Sequence, residues 1–263
     1  MSPAVSVHHV VEGPPDAPIL VLSNSLGSTL AMWDPQMADL TRSFSVVRYD
    51  LRGHGDSPVP PDPYDIADLG GDVLALLDRL GIGRAHLCGL SLGGMVSMWL
   101  AAHAPNRVDR LVLCATSARF SPPEAWAERA AIVRAGGIEG VADIVVGRWF
   151  TPEHATTHPE LIKEMRAMIA KTPPKGYEAC CRVIEHTDLR PSLSAILAPT
   201  LVIAGAQDLA APVDQAELIN NGINDCRMAV VERAAHLLNV ERPENVNALI
   251  LEHLLNAPTK EDP

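Results

Sequence analysis

A serine set between glycines, Gly89-Leu90-Ser91-Leu92-Gly93, stands between an apolar run, Ala85 to Cys88, and an amphipathic stretch, Met95 to His103. That is where a sharp strand-to-helix turn would present a hydroxyl for nucleophilic attack. The glycines have a mechanical reason: so tight a turn brings neighbouring backbone close enough that a Cβ at Gly89 or Gly93 would clash, and the nucleophile itself is held in strained geometry. A serine hydroxyl is a poor nucleophile at neutral pH, so it needs a neutral imidazole to take its proton and a carboxylate to orient that imidazole. Two later loops offer these groups. Gly205-Ala206-Gln207-Asp208 follows the strand-like run Thr200 to Ala204 and puts a carboxylate just past a strand's C-terminal end, where ligands gather in open α/β sheets. Glu232-Arg233-Ala234-Ala235-His236 follows Met228 to Val231 and delivers a ring nitrogen. Ser91, Asp208 and His236 are therefore the candidate catalytic residues. Asp214 is a rival acid, but its place near the start of a helical stretch gives it a capping or dipole role. His86 and His103 are read as partly buried or surface side chains. The backbone N–H of Leu92, directly after the nucleophile, is one of the two donors that a tetrahedral oxyanion requires.

The elements that must position these groups follow from the hydropathy pattern. Strand-like runs recur at Val5 to Val11, Ile19 to Ser23, Ser45 to Tyr49, Ala85 to Cys88, Leu111 to Ala115, Thr200 to Ala204 and Met228 to Val231, with helical stretches between them. Several are continuously apolar, as strands buried on both faces of a parallel sheet should be. Ile66, Leu69, Val73, Leu76, Leu77 and Leu80 fall on one helical face, and Gly81 follows as a stop. The alternation predicts right-handed crossovers and a doubly wound sheet, its first two strands an antiparallel hairpin at one edge. From Pro122 to Leu197 the alternation gives way to helical patterns cut by Pro152, Pro159, Pro173 and Pro174. This predicts a core of residues 1–120 and 198–263 carrying a helical cap over 121–197. The polar tail, Pro258 to Pro263, is expected to fray.

Composition narrows the function classes. At 263 residues with 47% hydrophobic content, the chain suits one large α/β domain. The net charge of -11 and the lack of a basic stripe argue against a nucleic-acid surface. No apolar run approaches the roughly 20 residues that span a bilayer, and Met1 to Val11 lacks the features of a secretory leader, so a soluble, cytosolic protein is expected. The five cysteines, Cys88, Cys114, Cys180, Cys181 and Cys226, lack metal-ligand spacing and are read as small hydrophobes. Residues 119–190 hold ten basic and ten acidic side chains, so the whole negative charge lies outside that middle segment. It is either an ordinary solvated helical surface or a lid that tolerates an anionic ligand. Oligomeric state is not legible.

The order Ser91, Asp208, His236 is that of the α/β-hydrolase superfamily, which the chain resembles from about Val5 to Leu255. Asn24-Ser25-Leu26-Gly27, Trp33-Asp34-Pro35-Gln36, Arg48-Tyr49-Asp50-Leu51-Arg52-Gly53-His54-Gly55 and Gly89-Leu90-Ser91-Leu92-Gly93-Gly94-Met95-Val96 resemble more closely the 3-oxoadipate enol-lactonases of the β-ketoadipate pathway for aromatic degradation. The resemblance implies an α/β-hydrolase fold, with a mostly parallel sheet of about eight strands flanked by helices and an inserted helical cap. It implies that Asn24 and Ser25 stand in the places of the family's His-Gly-X segment, which makes the Leu26 N–H the second oxyanion donor, and that His54 is structural. It further implies a serine esterase acting on a small carboxylated lactone, with no metal and no organic cofactor. A buried substrate carboxylate needs a compensating donor or cation, and Trp126 and Arg134, on the first cap helix, are the candidates for it.

Other readings stay open on sequence alone. A general carboxylesterase and a carbon–carbon bond hydrolase of meta-cleavage pathways share the fold, the triad and a cap, and a cofactor-free perhydrolase uses the same triad. A haloalkane dehalogenase is disfavoured because its nucleophile is an aspartate. A small-molecule receptor on this fold is the non-enzymatic alternative, and the presence of all three triad positions argues against it.

Overall fold

Runs such as ILVLS and TLVIAG have no polar alternate face, so both sides of each strand must be covered by other elements. In the computed structural model, which describes residues 3–61 and 63–255, they lie inside one sheet. Its strands are β1 (His9–Glu12), β2 (Ile19–Ser23), β3 (Ser45–Tyr49), β4 (Ala85–Leu90), β5 (Val108–Cys114), β6 (Thr200–Gly205) and β7 (Cys226–Val231). The spatial order is β1-β3-β2-β4-β5-β6-β7. Only β1 runs antiparallel to its neighbour. Strands β3, β4 and β6 are buried along their whole length, whereas the edge strands β1 and β7 are mostly half-buried.

Helices cover both faces: α1 (Asp34–Leu40), α2 (Ile66–Arg79) and α3 (Leu92–His103) between the early strands, and α9 (Val213–Gly222), α10 (Leu238–Glu241) and α11 (Pro243–Leu255) among and after the last two. The predicted stripe on α2 buries Leu69, Val73, Leu76 and Leu77. Its start is a capping box, in which Asp65 accepts from the Asp68 N–H and Asp68 accepts from the Asp65 N–H. Between β5 and β6 come five helices and no strand: α4 (Pro123–Gly136), α5 (Glu139–Trp149), α6 (Pro152–Thr157), α7 (Pro159–Ala170) and α8 (Pro174–His186). All five begin at or beside a proline or an acidic residue, the residue types that suit a helix's first turn.

Two topological expectations are corrected. The first two strands do not form a hairpin, because β3 lies between them and pairs with both. The linker Gly13-Pro14-Pro15-Asp16-Ala17-Pro18 is too stiff and donor-poor for a tight hairpin, and the doubly buried β2 needs partners on both edges. The sheet has seven strands among the described residues rather than about eight. The run expected from Val5 contributes only His9–Glu12, because the Val5 and His8 N–H groups donate to the side chains of Asp72 and Ser57 instead of to a neighbouring strand. The expected fray at 258–263 lies outside the described residues. Among the described residues, no helix is long and apolar enough to cross a membrane.

Candidate active site

The turn joining β4 to α3 is as tight as its glycines suggest. A Cβ on Gly89 would lie 2.2 Å from the Gly93 carbonyl oxygen, and one on Gly93 would lie 2.2 Å from the Ser23 carbonyl oxygen. Ser91 sits at the apex with φ 56° and ψ -115°, a conformation unfavourable for an L residue. It is held there by its N–H to the Cys114 carbonyl (3.0 Å) and by the Thr116 hydroxyl donating to its own carbonyl (2.7 Å). The backbone is thus pinned on both sides while the hydroxyl faces a cavity of about 310 Å³ above the C-terminal ends of the strands, a volume that suits a small organic molecule.

Two other strand ends reach the same place. His236 lines the cavity, and its Nδ1 lies 2.8 Å from Asp208 Oδ2. Both side chains are almost fully buried. The other Asp208 oxygen accepts from the Ala210 (2.7 Å) and Ala211 (3.0 Å) N–H groups. Burial acts to raise the Asp208 pKa, but the neighbouring His236 ring and the two backbone donors outweigh it and hold the carboxyl below its ordinary value. An ionised carboxylate only accepts, so Nδ1 carries the imidazole proton and Nε2 keeps its lone pair. Ser91 and His236 line the same cavity without a direct hydrogen bond between their side chains. Asp214 is exposed in the first turn of α9, where its charge meets the helix N-terminus.

The loop carrying His236 is braced from directions that the sequence does not advertise. The buried Glu241 carboxylate accepts from the Ala235 N–H (2.9 Å) and from the Thr151 N–H and hydroxyl. The Leu237 N–H donates to the Trp149 carbonyl (2.8 Å). The histidine loop is therefore clamped to the link between α5 and α6.

The segment after β2 is fixed just as closely. Asn24 donates to the Tyr49 carbonyl (2.7 Å) and accepts from Trp33 Nε1 (3.0 Å), while its carbonyl takes the Gly93 N–H (3.0 Å). The Ser25 N–H points to Met32 Sδ, and the Gly27 N–H donates to His54 Nε2 (3.0 Å). The N–H groups flanking Leu26 and Leu92 are thus all engaged. Among the described residues, those of Leu26 and Leu92 themselves have no protein acceptor, and the Leu26 and Ser91 residues line one cavity.

His54 is the acceptor that holds the Gly27 end of this turn, and burial pushes its pKa down to about 4, the Arg52 carbonyl only partly opposing the shift. In the unfolded chain the ring returns to an ordinary value of about 6.5. The neutral ring therefore favours the fold above about pH 6.5, and that stability, about 3 kcal/mol at most, is lost as the pH falls toward 4. His54→Gln, whose amide oxygen can take the Gly27 N–H but does not titrate, is expected to flatten this part of the acid limb. Urea unfolding at pH 7 and pH 4.5 measures it, and an acid loss equal to that of the unsubstituted protein would remove His54 from the account.

The sequence profile of the α/β-hydrolase fold matches residues 18–146. The 3-oxoadipate enol-lactonase 2 of Acinetobacter baylyi is 40% identical over 243 residues, which cover 92% of this chain and 91% of that protein. The chain belongs to the α/β-hydrolase family. Among solved structures, the enol-lactonase from Burkholderia xenovorans superposes on this hydrolase with a TM-score of 0.93 at 41% identity, covering 95% of this chain and 96% of that one. A hydrolase from Pseudomonas aeruginosa does so with a TM-score of 0.92 at 44% identity, covering 96% and 95%.

Of the two residues expected to meet a substrate carboxylate, Trp126 lines the Ser91 cavity of this hydrolase and Arg134 does not. Arg134 is ion-paired with Glu178 and faces a separate cleft of about 1080 Å³ against α2 and α3. It lies eight residues from Trp126, about 12 Å farther along the axis of α4, which carries it past the cavity. The cations that do line the cavity are Arg129 and Arg148, and Tyr177 lines it with them. Arg129 could have been found in the sequence, since three residues from Trp126 is the neighbouring position on a helix. Tyr177, Arg148 and Glu241 carry no such local signal.

Proposed function

We propose that this hydrolase opens the ring of 3-oxoadipate enol-lactone through a covalent acyl-enzyme, with Ser91 as nucleophile, His236 as general base and acid, and Asp208 as the group that orients and charges the ring. The observation that carries this reading is the convergence of the strained Ser91 and the Asp208-held imidazole on one small cavity that Leu26 also lines. Its relatives bearing the enol-lactonase name supply the substrate.

In the first half-reaction Ser91 Oγ attacks the lactone carbonyl while His236 Nε2 takes its proton. Charge gathers on the carbonyl oxygen, where the Leu26 and Leu92 N–H groups would receive it. The ring C–O bond then breaks, and the departing enolate takes the proton from His236. A tethered alkoxide could re-close the ring, but an enol ketonises, which removes the competing nucleophile and commits the acyl-enzyme to hydrolysis. Water deprotonated by His236 then releases 3-oxoadipate and restores Ser91. The helices over residues 121–197 act as the cap that closes the cavity from above.

The test is turnover of enzymatically generated enol-lactone, followed by loss of its ultraviolet absorption, beside hydrolysis of 4-nitrophenyl acetate. A kcat/KM at least about 100-fold higher for the lactone is expected, since only the lactone exploits both the carboxylate and the tethered leaving group. A preference for the acetate would make the protein a general carboxylesterase. Stoichiometric labelling of Ser91 by a phosphonate distinguishes an enzyme from a receptor that binds without turnover.

A further inference from the structure

We propose that Arg129 and Tyr177 form a subsite for a carboxylate on the substrate, with Arg148 adding positive charge at its rim; this rests on the ester-hydrolase reading above. The segment 119–190 contains seven arginines. Five are neutralised by acids: Arg119 and Arg190 by Asp188, Arg134 by Glu178, Arg166 by Glu139 and Asp143, and Arg182 by Glu185. Arg129 and Arg148 have no acidic partner among the described residues, and these are the two that line the Ser91 cavity. No aspartate, glutamate or lysine lines it with them. In a chain of net charge -11, a concave wall with two uncompensated guanidinium groups selects for a negative ligand.

Tyr177 supplies the second, independent observation. Tyr177 lines the same cavity with its side chain fully buried, and its hydroxyl makes no well-formed hydrogen bond among the described residues, the Arg129 guanidinium being the polar group that acts on it. A buried hydroxyl left unpartnered is costly, and native structures keep one where a ligand or a function uses it. Burial raises the phenol pKa, the Arg129 guanidinium partly opposing it, so the group remains a donor at neutral pH. Both donors are pre-positioned. The Arg129 guanidinium lies over the Trp126 ring, 4.5 Å from its centroid. Beside Tyr177, the backbones of Gly176 and Gly53 meet so closely that a Cβ on Gly53 would lie 2.6 Å from Gly176 Cα. That contact anchors the start of α8 to the core and sets where Tyr177 enters the cavity. A guanidinium beside a phenol O–H offers parallel, planar donors that match a carboxylate.

The experiment compares monomethyl glutarate with methyl valerate, esters of equal chain length in which a carboxylate replaces the terminal methyl group. Both are followed by proton release in a pH-stat. The quantity read is the ratio of kcat/KM for the charged ester to that for the neutral one. We expect the unsubstituted protein to favour the glutarate ester. Arg129→Met should lower the ratio by about 10- to 100-fold, Tyr177→Phe by about 3- to 10-fold, and Arg129→Lys by less than Arg129→Met. Arg134→Met, which removes the same charge from the neighbouring cleft, should leave the ratio in place. The proposal is overturned if the unsubstituted protein shows no preference for the glutarate ester, if Arg129→Met keeps the ratio, or if Arg134→Met lowers it equally. Should neither ester be turned over, the hydrolase reading is decided by the lactone assay above. Calorimetric titration of glutarate into the protein and into Arg129→Met then decides the subsite: weaker binding by the variant sustains it, and equal binding overturns it.

Discussion

Replacing Ser91 by alanine is expected to lower kcat for ester hydrolysis by about five to six orders of magnitude, the loss typical when a serine nucleophile acting in a unit with its base is removed. The substitution takes away one oxygen and little else. Ser91 is held by its backbone N–H and carbonyl, through Cys114 and Thr116, and both contacts survive in alanine. The elbow, the cavity and the Asp208–His236 pair should therefore persist, and KM should move far less than kcat. A residual rate above that in water is expected from the remaining N–H donors and from bound orientation alone. Steady-state kinetics on the lactone, with phosphonate labelling as a second readout, measure the effect. Activity within tenfold of the unsubstituted protein would require a different nucleophile.

Asp208→Asn is expected to cost about 10⁴-fold in kcat with the fold intact. The asparagine oxygen can keep the Ala210 and Ala211 N–H groups, as Asp208 Oδ1 does, which leaves the amide NH2 facing His236 Nδ1. A donor there forces the ring into the other tautomer, so the proton moves to Nε2 and the base that should receive the Ser91 proton is lost. The charge matters as well. The Asp208 carboxyl is held below its ordinary value by the His236 ring and the backbone donors against the effect of burial. It therefore stays ionised below the usual carboxylate range, and the stabilisation it lends the fold and the imidazolium is present above that range and lost only as the pH falls through its lowered pKa. Loss of rate on mild acidification must then come from another group. The pH–rate profiles of the two proteins, run side by side, test this: a variant that retains most of its rate and an unshifted profile would show that the carboxylate does not govern the ring.

Much of this hydrolase was legible in the chain because the responsible forces are local. The elbow at Gly89–Gly93 is dictated by backbone approach within five residues, and the Ser91, Asp208, His236 order follows from strand-like runs that each end beside a polar loop. The six parallel strands from β2 to β7 begin or end within three residues of the runs that predict them, since an apolar stretch bounded by turn residues has few other ways to bury itself. Strand order was not legible in the same way: adjacency in the chain predicted a hairpin of the first two strands, and only the pairing of β3 with both neighbours decided where β1 went.

What the amino-acid sequence determined by itself was the chemistry on offer: a strained serine, a carboxylate and an imidazole, each just past the end of a different strand, and a helical segment with no net charge. What only the tertiary structure decided was which charges in that segment remain uncancelled and where they point. Arg134 and Arg129 lie on one helix, but Glu178, forty-four residues away from Arg134 in the chain, neutralises the first and leaves the second to the cavity. Tyr177 and Glu241 likewise owe their surroundings to helices that meet only after folding. Backbone geometry and burial patterns are short-range and recur along a chain, whereas the electrostatics of a cavity are a sum over side chains from distant segments, which no local reading contains.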